Sequence, residues 1–387
     1  MLRGVARLRG IEAINAFLDA RHVELAGRLV HFCDTRLAGD AEPDSDDEAR
    51  RAARARLRLM GEAGWYGPIG ASDLRALCLT REQVAFADPL ADAVLALQAL
   101  GGTPLVLAGT EAQRAKWLDP ILTGRAMAAF AMSEPDAGSD VAAMRTTARR
   151  EGSGWVLDGE KHLISNAGIA DVYLVFAVTT PGAGSRGISL FIVPADAPGL
   201  IYAGPQVLAA PHPLGRIRLE GCTVGNDALL GERDGGFKLG MTTLDRVRPS
   251  VGAAACGMAA RALVEALQHA STRTQFGAPL ASLQLVRDKL GRMASELEAS
   301  RLLVYRAAWQ RDHHDARITL EAAMAKGVAT EAAQHVVDEA VQIFGGRGVL
   351  VGNPAERLYR AVRALRIYEG ATEVQRLIIA GALLEEV

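Results

Sequence analysis

The segment from Arg366 to Arg376 (RIYEGATEVQR) sets one carboxylate, Glu369, between apolar residues and a glycine, just ahead of a helix-forming stretch. Ile367 and Tyr368 stand on one side of it, and on the other Ala371 to Arg376 leads into the apolar run Leu377 to Ala380. A carboxylate so surrounded loses hydration, its pKa rises, and it becomes a stronger base toward a weakly acidic carbon. Gly370 lets the backbone turn sharply and lets a ligand come close. The plainer alternative is a surface carboxylate near a helix N-terminus, stabilised by the helix dipole. On these residues alone the plainer alternative is the better choice, and it takes the rest of the chain to displace it.

Five other segments carry groups that could hold a ligand. Phe130 to Asp140 (FAMSEPDAGSD) combines small residues with the hydroxyls of Ser133 and Ser139, at what reads as the end of a first strand. Glu160 to Gly168 (EKHLISNAG) ends a second strand in a polar turn, with Ser165 and Asn166 at its exit. Leu244 to Pro249 (LDRVRP) opens a long helix, Arg273 to Gly277 (RTQFG) closes it with a cation and a glycine, and Gln342 to Gly346 (QIFGG) closes another. Each has a purely structural reading: a Pro/Gly turn, an arginine on a helix dipole, a glycine C-cap. Only their order and spacing around Glu369 are specific.

The elements that must position these groups fall into three regions. Residues 1–125 read as helical: Ile11, Ile14, Phe17 and Leu18 recur at helical spacing, as do Leu90, Val94, Leu97 and Leu100. Between them Asp40 to Glu48 reads as an acidic loop, and the arginine-rich Ala49 to Arg58 as the solvated face of a helix without function. Residues 126–232 change pattern: Tyr173 to Val178 and Ile188 to Val193 are short β-branched or aromatic runs between Gly/Pro/Asn turns, the signature of a β-barrel or sandwich. Residues 233–387 return to long helices, at 235–270, 281–312, 317–344 and 371–385, which suggests a four-helix bundle.

Composition narrows the class further. The chain has 387 residues, 49% hydrophobic and 23% charged, with a net charge of −2, so nothing global favours nucleic acid or an anionic membrane. Cys33, Cys78, Cys222 and Cys256 are far apart and lack metal spacing, so a reducing compartment, the cytoplasm, and no metal are expected. No apolar run reads as long enough to span a membrane. The basic start, Met1 to Arg9, is faintly like a transit peptide but runs into the amphipathic stretch Ile11 to Val30, and reads as part of the first helix.

Together the motifs resemble the acyl-CoA dehydrogenase family over nearly the whole chain. Members look like Ser-Glu-Pro-x-Ala-Gly-Ser-Asp, Lys-x-x-Ile-(Ser/Thr)-Asn, Arg-(Lys/Thr)-Gln-Phe-Gly, Gln-x-x-Gly-Gly and Tyr-Glu-Gly, and all five occur here in that order. The resemblance implies an N-terminal helical domain, a middle β domain and a C-terminal four-helix bundle. It implies bound FAD lined by Phe130, Met132, Ser133, Gly138, Leu163 and Ile164, with Ser165 near flavin N5. Arg273 and Phe276 would hold the diphosphate and adenine half, Gln342, Gly345 and Gly346 would meet the cofactor of a neighbouring subunit, and Thr372 and Glu373 would add contacts. Ser139, Asp245 and Arg248 would touch the CoA moiety, Tyr368, Gly370, Leu97 and Leu100 the acyl group, and Glu369 would be the catalytic base. Implied partners are an acyl-CoA, an electron-transfer flavoprotein and further copies of the chain, as a dimer or a tetramer.

The match has departures. Ala371 precedes Thr372 where most members have Thr directly after Tyr-Glu-Gly, and Leu163 replaces a frequent Trp. Gly352-Asn-Pro354 stands where Glu-Tyr-Pro is common, and Ala361 where an Asp often follows Arg. Some members carry the base one residue before the arginine matching Arg248, but here that residue is Val247, which cannot take a proton. Val94, Leu97 and Leu100 are uncharged and point to a short or branched, uncharged acyl group. Two further enzymatic readings keep the fold: an oxidase or monooxygenase that uses oxygen directly, and a dehydrogenase of an acyl-carrier-protein thioester. A DNA-binding relative would need a basic C-terminal extension, whereas this sequence stops at Val387 with net charge −2.

Overall fold

The computed structural model of the chain describes residues 7–39, 42–314 and 317–385. Helices α1 (Ala20–Phe32), α2 (Asp46–Glu62), α3 (Leu74–Ala87) and α4 (Pro89–Ala108) come first. Strands β1 (Ala128–Ala131), β2 (Thr147–Glu151), β3 (Gly154–Ser165), β4 (Val172–Val178), β5 (Ile188–Pro194), β6 (Leu200–Pro205), β7 (Leu214–Gly225) and β8 (Leu229–Leu230) follow. The C-terminal part contains α5 (Gly236–Thr272), the hairpin β9 (Thr274–Gln275) and β10 (Ala278–Pro279), then α6 (Gln284–His314), α7 (Thr319–Phe344), α8 (Pro354–Arg363) and α9 (Thr372–Glu385). The chain divides into two compact units, one of Met1–Glu42, Leu74–Asp92 and Asp245–Val387, the other of Pro43–Asp73 and Ala93–Leu244.

In the first unit α3 is buried nearly throughout, including Arg75, Arg81, Glu82 and Gln83. Buried charge is tolerable only when paired, and each of these finds a partner. Arg75 meets Asp312 at 2.9 Å, Arg81 meets Asp92 at 2.8 Å, Glu82 meets Arg301 at 2.8 Å, and Gln83 accepts from Arg9 at 2.9 Å. The expected single helix from Ile11 to Val30 is broken. Glu12–Phe17 is a 3-10 turn, Leu18 is extended, and Asp19 caps α1, its N–H donating to His22 Nδ1 at 3.2 Å. Asp favours the extended Ncap conformation, so it stops one helix and starts the next. Residues 1–6 of the basic start lie outside the described residues, as do Asp40 and Ala41.

The C-terminal helices lie close to the expected ranges, with two corrections. Leu244 to Pro249 lies inside α5 and does not open it. Helix α8 was not expected, although Asn353 caps it by accepting from Ala355 N–H at 2.9 Å and Pro354 occupies its first position. The expectation that no apolar run approaches a membrane span is also corrected: α4 and α5 are long and apolar enough by length and composition. Most of each is buried inside the protein, so they are core helices.

The second unit is built on a mixed eight-stranded sheet in the order β6-β7-β3-β2-β4-β5-β8, with β1 alongside β4 in parallel. Strand β4 is apolar at every position because both of its faces are covered. Tyr173, Val175 and Ala177 enter one core with Trp155, Phe191 and Ile217, while Val172, Leu174 and Phe176 enter another with Leu118, Ile121 and Ile192. Gln98 of α4 fixes the entry to β1, accepting from Ala128 N–H at 2.9 Å and donating to Ile121 and Ala126 carbonyls at 2.9 Å. The expected acidic loop and solvated arginines are corrected here. Asp46 to Glu48 form the first turn of α2, Arg50 donates to the carbonyls of Ala167 and Leu214 at 2.6 and 2.9 Å, and Arg54 pairs with Asp171 at 2.7 Å.

Candidate active site

Glu369 sits in the turn between α8 and α9 with φ of 54°, in the left-handed region that non-glycine residues rarely adopt. Gly370 follows at φ 95°. A Cβ on Gly370 would lie 2.5 Å from Gln375 Nε2, so the sequence needs glycine there twice over. The strained turn is held by its carbonyls. Arg248 Nε donates to the Glu369 carbonyl at 2.9 Å, Lys326 Nζ donates to the Gly370 carbonyl at 2.7 Å, and Gln375 Nε2 donates to both, at 3.3 and 2.9 Å. Arg248 also holds Asp245 at 2.8 Å, and Asp245 accepts from Thr319 at 2.6 Å.

The side chain contrasts with the backbone that carries it. Oε2 of Glu369 is buried and has no hydrogen-bond partner among the described residues. The Glu369 N–H likewise donates to no acceptor among them. Burial pushes the carboxyl pKa up; Arg81, Arg248 and Lys326 pull it back, and Asp92 adds to the rise. Tyr368 is partly exposed, and burial raises its hydroxyl well above the usual phenol range, with the nearby Arg81 pulling the other way. Arg81 is clamped in turn by Asp92, at 2.8 and 2.9 Å, and by Ser250 at 3.1 Å. The arrangement is a desolvated carboxylate on a rigid turn, with one oxygen and one N–H left for a ligand.

In the second unit the ends of β1 and β3 come together, His162 N–H donating to the Ser133 carbonyl at 3.0 Å. Beneath them Lys161 donates to Glu134 at 2.9 Å and to the Met132 carbonyl at 3.1 Å, all buried, which fixes the Phe130–Ser133 backbone. The pairing of β3 with β7 slips between Lys161 and Ile164, and at that bulge Leu163 has φ 55° and is 53% exposed. Bulges re-aim side chains. Here Ile164 turns into the core, and Ser165 Oγ lies 2.7 Å from His212 Nε2. Burial, with Arg50 adding repulsion, pulls His212 down to about 4, so its imidazole is neutral at neutral pH.

The remaining expected residues are spread over both units. Gly138 and Ser139 lie in an exposed turn after β1, and Leu97 and Leu100 are buried in α4. Arg273 and Phe276 are on the exposed β9–β10 hairpin, with Phe276 94% exposed and Arg273 in no ion pair among the described residues. Gln342, Gly345 and Gly346 form the exposed end of α7. The Thr372 hydroxyl donates to Glu331 at 2.6 Å, and Glu373 is exposed in the first turn of α9. Sequence reasoning missed Arg81, Lys326, Gln375 and His212. A signal existed for Lys326: it falls in the buried stripe with Ala322, Ala325 and Ala329, where a lysine is out of place.

The acyl-CoA dehydrogenase N-terminal, middle and C-terminal domain profiles match residues 19–125, 129–222 and 234–384. The chain is 41% identical over 359 residues to the 3-(aryl)acrylate reductase of Clostridium sporogenes, covering 89% of this chain and 95% of that protein. It is 44% identical over 283 residues to the mitochondrial short-chain specific acyl-CoA dehydrogenase of Homo sapiens, covering 73% of this chain and 68% of that one. Among solved structures, butyryl-CoA dehydrogenase from Megasphaera elsdenii superimposes with a TM-score of 0.87 at 33% identity, covering 95% and 99% of the two chains. The prolyl acyl carrier protein oxidase AnaB superimposes with a TM-score of 0.85 at 28% identity, covering 95% and 99%. The helical, sheet and helical parts are thus those of an oxidoreductase acting on CH–CH bonds. The chain belongs to the acyl-CoA dehydrogenase family, as its motifs suggested.

Proposed function

We propose that the protein desaturates an acyl thioester between its α and β carbons, with Glu369 as the base that takes the α-proton. The observation that carries this reading is the buried Oε2 of Glu369, unpartnered among the described residues, on a turn whose Glu369 and Gly370 carbonyls are tied. A thioester α-proton is a very weak acid, so its removal needs both a desolvated base and donors for the developing enolate oxygen. The Glu369 N–H, which donates to no described protein acceptor, is one such donor. Val247 is buried and has no ionisable group, so it is no rival base.

The family's cofactor is FAD, and the chain has residues that fit it. Arg273, in no ion pair among the described residues, is a cation for a diphosphate, Phe276 an exposed ring for a stacked heterocycle, and Ser165 an oriented hydroxyl for the flavin edge. A Cβ on Gly138, Gly345 or Gly346 would meet nothing within 4 Å, so no neighbour in the chain demands glycine for space there and a ligand could approach. When bound, FAD supplies the two-electron acceptor that takes the β-hydrogen as hydride. The exposed Leu285, Leu350 and Val351 of the C-terminal part support assembly with further copies of the chain. An electron-transfer flavoprotein is the proposed acceptor and the cytoplasm the proposed location.

Anaerobic bleaching of the flavin by a panel of acyl-CoAs tests the reaction. Uncharged short or branched acyl groups should bleach it, and glutaryl-CoA should not, since an unpaired carboxylate would be buried at high cost. The panel should include a 3-arylpropionyl thioester, whose desaturation is the reverse of an arylacrylate reduction. A flavin that no acyl thioester reduces would refute the proposal. Rapid reoxidation by oxygen with product bound would favour the oxidase reading, which the likeness to AnaB supports.

A further inference from the structure

Three cations surround Glu369 from three helices: Arg81 on α3, Arg248 on α5 and Lys326 on α7. Two of them are already neutralised. Arg81 pairs with Asp92 through two bonds of 2.8 and 2.9 Å, and Arg248 pairs with Asp245 at 2.8 Å. Lys326 differs. It is 0% exposed, its Nζ donates to the Gly370 carbonyl at 2.7 Å, and it forms no ion pair with any carboxylate among the described residues. A buried ammonium without a counter-charge is costly, more so than a hydrogen bond to one carbonyl offsets.

The negative groups that face Lys326 are Glu369, Glu331 and Glu373, with Arg248 opposing them. Glu331 is held by Arg366 at 2.8 Å and by Thr372 at 2.6 Å, and Glu373 is exposed on α9. Glu369 is faced by Arg81, Arg248 and Lys326, and by Asp92 on the negative side. Among the described residues facing Lys326, Glu369 is thus the buried carboxylate that no other group has paired, and its charge is the natural counterpart of the unneutralised ammonium.

We propose that Lys326 is a positioning residue for the base: its bond to the Gly370 carbonyl fixes the turn, and its uncommitted charge joins Arg81 and Arg248 in favouring ionised Glu369 in its desolvated pocket. This inference rests on the reading of Glu369 as the base. Desolvation alone raises the carboxyl pKa and so favours the protonated, idle form. Arg81 and Arg248 lower it too, each more than Lys326 does, but both are also bonded to carboxylates of their own, Asp92 and Asp245, whereas Lys326 is not. Burial lowers the Lys326 ammonium itself to about 8, opposed chiefly by Glu369, which is the reciprocal side of the same coupling.

Two variants separate the charge from the hydrogen bond. Lys326→Gln keeps a donor for the Gly370 carbonyl and removes the charge; Lys326→Met removes both. Each is loaded with FAD, checked for FAD content and melting temperature, and followed by anaerobic single-turnover flavin reduction across pH. In both, the acid limb of the rate profile should move up by about one pH unit, the shift expected when a nearby opposite charge is lost. A Gln variant whose limb stays at the wild-type position, whatever its rate, would overturn the proposal and leave Lys326 a structural clamp. If the Met variant does not fold, the Gln profile decides alone. Glu369→Gln in parallel keeps the questions apart: if that variant still reduces its flavin, the base assignment fails, and if it is inactive while the Lys326 limb stays put, only the present inference fails.

Discussion

The turn that carries Glu369 and the strand end that carries Ser165 solve a similar mechanical problem with opposite electrostatics. Both force non-glycine residues into the left-handed region, with φ of 54° at Glu369, 55° at Leu163 and 65° at Asn166. Both hold that strain with hydrogen bonds from distant parts of the sequence. Around Glu369 the donors to the carbonyls are mostly cations, Arg248 and Lys326, with Arg81 acting on the carboxylate through its charge. Around Ser165 the partner is His212, neutral because burial holds it down to about 4. A group that must gain and lose a proton is tuned by charge. The Ser165 hydroxyl is instead oriented by a neutral neighbour, which adds no charge beside it.

The largest test of this contrast lies under the charged site. Arg81→Met would leave Asp92 buried and unpaired, and breaking such a pair costs about 3–5 kcal/mol. Thermal melting should therefore show a marked loss of stability. The double change Arg81→Met with Asp92→Leu should recover most of it, because no charge is then stranded. A single variant as stable as the wild type would mean that the charges around Glu369 are not desolvated as described.

The neutral site predicts a pH dependence of stability. His212 has a pKa of about 4 in the folded chain against an ordinary value of 6.5, so the unfolded chain binds the proton first. Stability tied to neutral His212 is fully present above about 6.5 and falls as pH drops toward 4, by at most roughly 3 kcal/mol. His212→Gln keeps a polar partner for Ser165 but cannot charge, so its melting temperature should fall less than the wild type's between these limits. Equal acid sensitivity in both proteins would show that His212 is not held neutral.

What was legible in the sequence follows from how local each signal is. Periodicity found the long helices because α5, α6, α7 and α9 repeat an apolar stripe over several turns, and it missed α8, a ten-residue helix introduced by a proline. The all-apolar run of β4 marked a strand, but its two covered faces belong to a topology that no window of residues contains. Glu369 stood out only through the order and spacing of the other motifs, since its own neighbours Ile367, Tyr368 and Gly370 left a surface carboxylate the better choice. Lys326 and Arg81 did not stand out, since what makes them matter is a carbonyl 44 residues away in one case and a carboxylate on the next helix in the other. Arg50 and Arg54 read as solvent-facing for the same reason: their acceptors, Ala167, Leu214 and Asp171, come more than 100 residues later.

The central claim is that Glu369 takes the α-proton, and Glu369→Gln tests it most directly. The amide keeps the size and much of the hydrogen bonding, so FAD and acyl-CoA should still bind. With the same bound substrate, anaerobic single-turnover bleaching should slow by at least roughly a hundredfold, the contribution of a positioned general base. The wild-type rate should rise with pH as the carboxylic acid ionises, with an apparent pKa above that of a solvated glutamate, because burial outweighs the surrounding cations. A Glu369→Gln protein that bleaches its flavin at the wild-type rate would contradict the account.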